Sequence, residues 1–433
     1  MTALSKIDMM KATRLTREGR LKEAMAVLRG SFSSVPRDDS EGVAPESPAA
    51  RTSPILDMVP PSPGNGGSWT SPDTHSAGRP WDISQSLIPE ALRGFLARVG
   101  QPGSAHGCDG MIEPAVARGP APLPDGAQFE EHSFANESGR RAYKLYVPSG
   151  YNGQALPLVI MLHGCTQSPD DFAAGTRMND LAEEQTFLVA YPAQAQSANV
   201  SKCWNWFRTV DQRRDQGEPS LIAGITRQIM GDFSVRSECV YVAGLSAGGA
   251  AAAIMGSTYP DLYAAIGVHS GLACGAASDI PSAFAAMRQG GSISGRTHRR
   301  SGTSVPTIVF HGDGDTTVHP VNGDQVIAHS KTAADLRTSV SRGETEGGIS
   351  YTRTVQSDES GRPLLEQWVL HGVGHAWSGG NAAGSYTEPR GPDASREMMR
   401  FFLQHRATAA SLGSSAEPAT PERHAGSPPL ARS

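Results

Sequence analysis

Apolar residues are unevenly spread along the chain, and their spacing divides it into regions of different character. Between residues 129 and 405, short apolar or β-branched runs alternate with helical stretches. Leu158-Val159-Ile160-Met161-Leu162 and Cys239-Val240-Tyr241-Val242-Ala243 are unbroken apolar runs of strand length, the pattern of strands buried on both faces. Residues 186–191, 264–269, 305–310 and 365–370 read as further strands. Residues 129–134 and 141–147, parted by Asn136-Glu137-Ser138-Gly139, predict an antiparallel hairpin. Helices are predicted after Ser168, with Ser168 as cap and Pro169 at the first position, over 219–233, in the Ala-rich stretch 250–255, and over 393–405. This alternation predicts an α/β fold: a mostly parallel central sheet covered by helices on both faces, opened by an antiparallel hairpin.

Outside that stretch the pattern changes. Within 9–31, Met10, Leu15, Leu21, Ala24, Met25 and Leu28 recur among Lys, Arg and Glu, which suits one or two amphipathic helices broken near Gly19. Residues 32–127 are rich in Pro, Gly and Ser and are expected to form a largely disordered linker. A helical stripe of Ile88, Leu92, Phe95, Leu96 and Val99 interrupts it near 87–100. The expected organisation is a helical segment at 1–31, the linker at 32–127, an α/β domain at 128–406 and a disordered tail at 407–433.

Charge and cysteine content narrow the function classes. The 433 residues carry 38 Lys and Arg against 43 Asp and Glu, a formal charge of −5, so no broad basic field invites nucleic acid. No stretch approaches the about 18 apolar residues of a membrane span. Met1-Thr2-Ala3-Leu4-Ser5-Lys6 leads into charged sequence without the apolar core of a secretory signal, so a cytoplasmic address is expected. Cys108, Cys165, Cys203, Cys239 and Cys274 show no metal-ligand spacing and, being odd in number, no disulfide framework. Neither metal nor organic cofactor is expected.

Candidate chemistry centres on Gly244-Leu245-Ser246-Ala247-Gly248. The stretch fits the Gly-x-Ser-x-Gly turn that lifts a nucleophilic serine between a strand and a helix, and it stands in that context. An acid and a histidine should follow in that order. The acid is expected in His311-Gly312-Asp313-Gly314-Asp315-Thr316-Thr317-Val318, at the end of a strand. Asp315 is favoured over Asp313, whose position at the strand exit suits a role in the turn. The histidine is expected to be His375, in the loop Gly372-Val373-Gly374-His375; His371, at the strand end, is the competitor. Two backbone N–H donors for an oxyanion are expected from Cys165, after the strand ending in His163-Gly164, and from Ala247. Trp204, Trp206 and Trp377 are candidate substrate-binding walls. Trp204 and Trp206 lie two residues apart, so one is expected to line a cleft and the other to pack inward. The Gly- and Ser-rich insertion 271–302, ending near Arg296, His298, Arg299 and Arg300, has the texture of a lid or an open loop.

Five ordered motifs now carry a resemblance: Leu162-His163-Gly164-Cys165-Thr166-Gln167, Cys203-Trp204-Asn205-Trp206-Phe207, Gly244-Leu245-Ser246-Ala247-Gly248-Gly249, His311-Gly312-Asp313-Gly314-Asp315-Thr316-Thr317-Val318 and Gly374-His375-Ala376-Trp377-Ser378-Gly379-Gly380. Together, over about residues 128–405, they resemble the poly(3-hydroxybutyrate) depolymerase family, which is itself similar to feruloyl and acetylxylan esterases. The resemblance implies an α/β-hydrolase fold and carboxylic-ester hydrolysis, with Ser246 as nucleophile, Asp315 as acid and His375 as base. It implies a polyester, oligoester or small ester as substrate, first poly(3-hydroxybutyrate) or its oligomers, with a feruloyl or acetylxylan ester as the alternative. It also raises a Cys165–Cys203 disulfide and an extracellular address as alternatives to the reduced, cytoplasmic reading. A granule or protein partner reached through the N-terminal helices is a further expectation, and a non-catalytic α/β-hydrolase scaffold that binds through those helices is the reading from another class.

Overall fold

In the computed structural model the apolar runs become one ten-stranded sheet. The structure describes residues 123–291, 305–331 and 335–407, all within the second of two units of the chain, Ile88–Ser433. The readings for 1–31, 32–122, the helical stripe near 87–100 and the tail from 408 lie outside these residues.

In chain order the strands are β1 (Gln128–Asn136), β2 (Gly139–Val147), β3 (Leu156–Leu162), β4 (Leu188–Pro192), β5 (Val235–Leu245), β6 (Ala265–His269), β7 (Thr307–Gly312), β8 (Arg337–Glu344), β9 (Ser350–Ser357) and β10 (Pro363–Leu370). Across the sheet they run β1-β2-β4-β3-β5-β6-β7-β10-β9-β8. Every pair from β4 through β10 is parallel. The hairpin β1–β2 and its junction with β4 are antiparallel, as are β10–β9 and β9–β8. The fold is the α/β-hydrolase arrangement, with an antiparallel ribbon at each edge. Sequence pattern pointed to the first ribbon only. β8 is exposed along almost its whole length, so Arg337-Thr338-Ser339-Val340-Ser341-Arg342 has no buried face to reveal it. Its arginines are the kind of side chain that discourages further strand addition at an edge.

Helices α1 (Pro169–Thr176), α2 (Met178–Gln185), α3 (Gly217–Asp232), α4 (Ala247–Thr258), α5 (Ile280–Gln289), α6 (Val321–Ser330) and α7 (Ala394–Phe402) cover the two faces. Alternation along β3 shows how. Leu158, Ile160 and Leu162 enter a core shared with α3, α4, α5 and α6, whereas Val159 and Met161 enter one shared with α1, α2 and α7. Ser168 caps α1 by accepting from the Asp171 N–H at 3.2 Å, with Pro169 in the first turn. Inside the 271–302 insertion, α5 is a capped helix with Asp279 at its N-terminus. The basic cluster from Arg296 to Arg300 lies outside the described residues. Among the described residues, no helix is long and apolar enough to cross a membrane.

Candidate active site

β5 turns into α4 at a single residue. Ser246 has φ 58° and ψ −119°, a backbone state that a side chain makes costly and that persists where the surroundings enforce it. The flanking glycines enforce it. A Cβ on Gly244 would stand 2.4 Å from the Gly248 carbonyl, and one on Gly248 would stand 2.0 Å from the Leu162 oxygen. Ser246 N–H donates to the His269 carbonyl at 2.9 Å, which ties the elbow to the end of β6.

The acid and the base come from neighbouring parallel strands. β7 and β10 end side by side, so the loops that leave them meet. His375 Nδ1 lies 2.7 Å from Asp315 Oδ2. The other Asp315 oxygen accepts the Thr317 and Val318 N–H groups, each at 2.9 Å. Burial pushes the Asp315 carboxyl up, but His375 and His311 beside it outweigh burial and hold it well below the usual carboxylate range. An ionised carboxylate there fixes the imidazole tautomer and favours the imidazolium. Asp313 has other partners: its two oxygens accept from His371 Nδ1 at 2.8 Å and from the Gly372 N–H at 2.6 Å. It braces the loop that carries His375, and His371 belongs to that brace.

The loop after β3 offers the oxyanion donors. Gly164 N–H is spent on Gln167 Oε1 at 2.8 Å and Thr166 N–H on the Ser201 carbonyl at 2.7 Å. Among the described residues, no acceptor takes the N–H of Cys165 or Ala247. His163 supports the loop from beneath. It donates through Nδ1 to the Gly164 carbonyl at 2.7 Å and accepts the Gln194 N–H on Nε2 at 3.0 Å. That pattern requires the neutral ring, and burial lowers its pKa to about 4. A disulfide joins Cys165 to Cys203 and fastens the loop to residues 203–207. Ser246, His375, Cys165, Gly164, Leu245, Thr317 and Tyr386 line one cavity.

The three tryptophans do not line it, contrary to expectation. Trp204, Trp206 and Trp377 are 0%, 6% and 1% exposed. Trp204 Nε1 donates to the His163 carbonyl at 3.1 Å, and Trp377 Nε1 donates to Ser395 Oγ at 3.1 Å. Trp206 packs edge-on against Phe207. Once its N–H has a partner, an indole is more stable in the core than in an open cleft. Trp377 stacks on His269, which is buried, neutral and held well below its ordinary pKa by that burial. His269 Nε2 in turn accepts the Ser378 N–H at 3.0 Å. The tryptophan and the histidine thus connect the serine elbow to the segment following His375. Thr317 and Tyr386 are the cavity residues that sequence reasoning missed. Thr317 could have been found from its place beside Asp315; nothing in the pattern around Tyr386 marks it. Among the described residues, no group of three or more His, Cys, Asp or Glu is placed to hold a metal ion.

This sheet is the α/β-hydrolase fold, and it carries a serine elbow followed by an Asp–His pair at the ends of later strands. Over residues 141–344 the chain matches the model of the family described as Esterase PHB depolymerase. It is 31% identical over 252 residues to poly(3-hydroxyalkanoate) depolymerase C of Paucimonas lemoignei, covering 56% of this chain and 60% of that protein. It is 28% identical over 203 residues to acetylxylan esterase A of Talaromyces purpureogenus, covering 43% of this chain and 52% of that protein. The chain therefore spans less than two thirds of the length of either relative. The solved acetyl xylan esterase from Aspergillus awamori shares the fold, with a TM-score of 0.50 at 21% identity, over 64% of this chain and 99% of that one.

Proposed function

We propose that the chain hydrolyses carboxylic esters through an acyl-enzyme on Ser246, with poly(3-hydroxybutyrate) or its oligomers as the first substrate class. The observation that carries the reading is the pairing of His375 with a buried, ionised Asp315 on the cavity that holds Ser246. His375 takes the Ser246 proton as Oγ attacks the ester carbonyl, and Asp315 stabilises the imidazolium. The N–H groups of Cys165 and Ala247 receive the negative oxygen. His375 returns the proton to the departing alcohol; water then attacks the acyl-enzyme by the same route and releases the acid.

The depolymerase relative supports the polyester, and the acetylxylan esterase relative supports a second reading, an acetyl or feruloyl ester on a polysaccharide. A panel of hydroxybutyrate oligomers, amorphous polymer, methyl ferulate and acetylated xylan separates them by kcat/KM. Fluorophosphonate labelling tests the serine itself. Labelling of the parent but not of Ser246→Ala is expected; an unlabelled parent that hydrolyses no ester makes the fold a scaffold. The Cys165–Cys203 bridge favours work in an oxidising compartment over the cytoplasmic address expected from the N-terminus. Thiol counting on protein taken from the native cell decides between them.

A further inference from the structure

Tyr386 reaches the cavity from a segment with no catalytic group of its own. That segment, between β11 (Trp377–Ser378) and β12 (Thr387–Glu388), is held to the domain at several points. The Tyr386 carbonyl accepts the Trp377 N–H at 2.7 Å. Its neighbour Ser385 donates its N–H and hydroxyl to the two oxygens of Asp171, at 2.9 and 2.5 Å. Gln167 Nε2 donates to the Ser385 carbonyl at 3.1 Å, while Gln167 Oε1 takes the Gly164 N–H. One side chain thus fixes both the oxyanion loop and the segment bearing Tyr386. Tyr386 itself has φ 55°, rare for a residue with a side chain. Its phenol oxygen lies 3.3 Å from Thr166 Oγ1, and the Thr166 hydroxyl donates to the Cys165 carbonyl at 2.5 Å, so the phenol is the donor of the pair and its oxygen still accepts.

We infer that Tyr386 sets the acyl-side specificity of the site: its ring packs against the acyl group of a bound ester, and its phenol oxygen, beside the Thr166 hydroxyl, accepts from a hydroxyl carried by that group. The inference rests on the ester reading above. His375 must pass a proton to the leaving alcohol, so the alcohol departs on the His375 side, where Thr317 lines the cavity beside Asp315. Cys165 N–H meets the carbonyl oxygen. Tyr386, joined to Thr166, flanks the remaining direction, that of the acyl chain. An aromatic face next to hydroxyl oxygens that accept suits an acyl group with a hydroxyl beyond its carbonyl, such as a 3-hydroxyacyl group, over plain acetyl.

The test compares the 3-hydroxybutyryl and acetyl esters of one phenol, on the full chain, for the parent, Tyr386→Phe and Tyr386→Leu. Tyr386→Leu is expected to lower the hydroxybutyryl-to-acetyl ratio of kcat/KM at least about tenfold, and Tyr386→Phe about threefold by loss of the hydroxyl alone. Tyr386→Phe keeps the ring and its packing, so it reads the hydroxyl even where the leucine variant folds poorly. Ratios within about twofold of the parent in both variants, including an equal loss on both esters, overturn the inference. A parent that takes no fluorophosphonate and cleaves neither ester sinks the ester reading and this one with it. An active parent with unmoved ratios sinks only the role of Tyr386.

Discussion

Asp313 and Asp315 sit two residues apart on one loop, yet their surroundings give them different duties. Asp315 is buried against His375, while Asp313 is half exposed and holds His371 and the Gly372 N–H. Asp315→Asn should lower kcat/KM by roughly three to four orders of magnitude, because an amide neither enforces the tautomer nor stabilises the imidazolium. Asp313→Asn should cost less than about tenfold, since the amide oxygen still accepts from Gly372. Steady-state kinetics on one soluble ester decide it, and a larger loss at Asp313 would reverse the assignment of the acid. His163 ties the same region to pH. Its pKa is lowered from 6.5 to about 4, so the folded state favours the neutral ring. Above the ordinary value both states are neutral and the fold carries no penalty. As pH falls from 6.5 towards 4 the unfolded chain takes up the proton first, and stability drops by about 3 kcal/mol. Urea midpoints should fall across that window, and His163→Gln should flatten the slope.

At the scale of elements, the site is a set of strand ends held in register. β3, β5, β7 and β10 each deliver one part of it, and the disulfide adds a covalent tie between the loop after β3 and residues 203–207. Cys165 and Cys203 are 38 residues apart, and closing such a loop in the unfolded chain is worth about 4 kcal/mol in the chain-entropy picture. Replacing both cysteines by serine should therefore lower the unfolding free energy by roughly 3–4 kcal/mol. It should lower kcat more than it raises KM, because the N–H of Cys165 serves the transition state. Urea melts and initial rates on a short ester test both halves. These elements differ in how plainly the sequence announces them. Buried strands such as 158–162 stand out because both faces are apolar, and Gly244 and Gly248 stand out because no other residue fits beside Leu162 and its neighbours. β8 escapes notice because it is exposed and β9 because its half-buried face is mostly polar, so neither shows an apolar period. The tryptophans mislead for a related reason: sequence places an indole near the site but cannot say that Ser395 and the His163 carbonyl take its N–H in the core. Tyr386 is invisible because its position depends on the contacts of Ser385 to Asp171 and Gln167 and on its own contact to Thr166, all more than 200 positions away.

At the scale of the whole molecule, the question is how much chain the site around Ser246 needs. Both apolar cores, on the two faces of the sheet, are built from residues within 123–407, and all the cavity residues lie between Gly164 and Tyr386. A sheet of this size with helices on both faces buries enough apolar surface to be stable alone, since domains of more than about 150 residues bury some 70% of their surface. Removing residues 1–86 should therefore leave a folded enzyme whose kcat/KM on soluble hydroxybutyrate oligomers stays within about twofold of the full chain. If so, attachment to a polymer granule, or to a protein on it, is a role for the amphipathic sequence pattern at 9–31 that the same assays can test. Parallel assays on soluble oligomers and on amorphous polymer granules, with sedimentation of the granules to measure bound protein, separate the outcomes. Equal loss on both substrates, or a chain that no longer melts cooperatively, would make the N-terminal region part of the catalytic domain. Loss confined to granules, with less protein sedimenting, would assign residues 1–86 to adsorption. Unchanged rates on both, with unchanged sedimentation, would remove the N-terminal region from polymer attack altogether and leave the cavity around Ser246 to meet the polymer unaided.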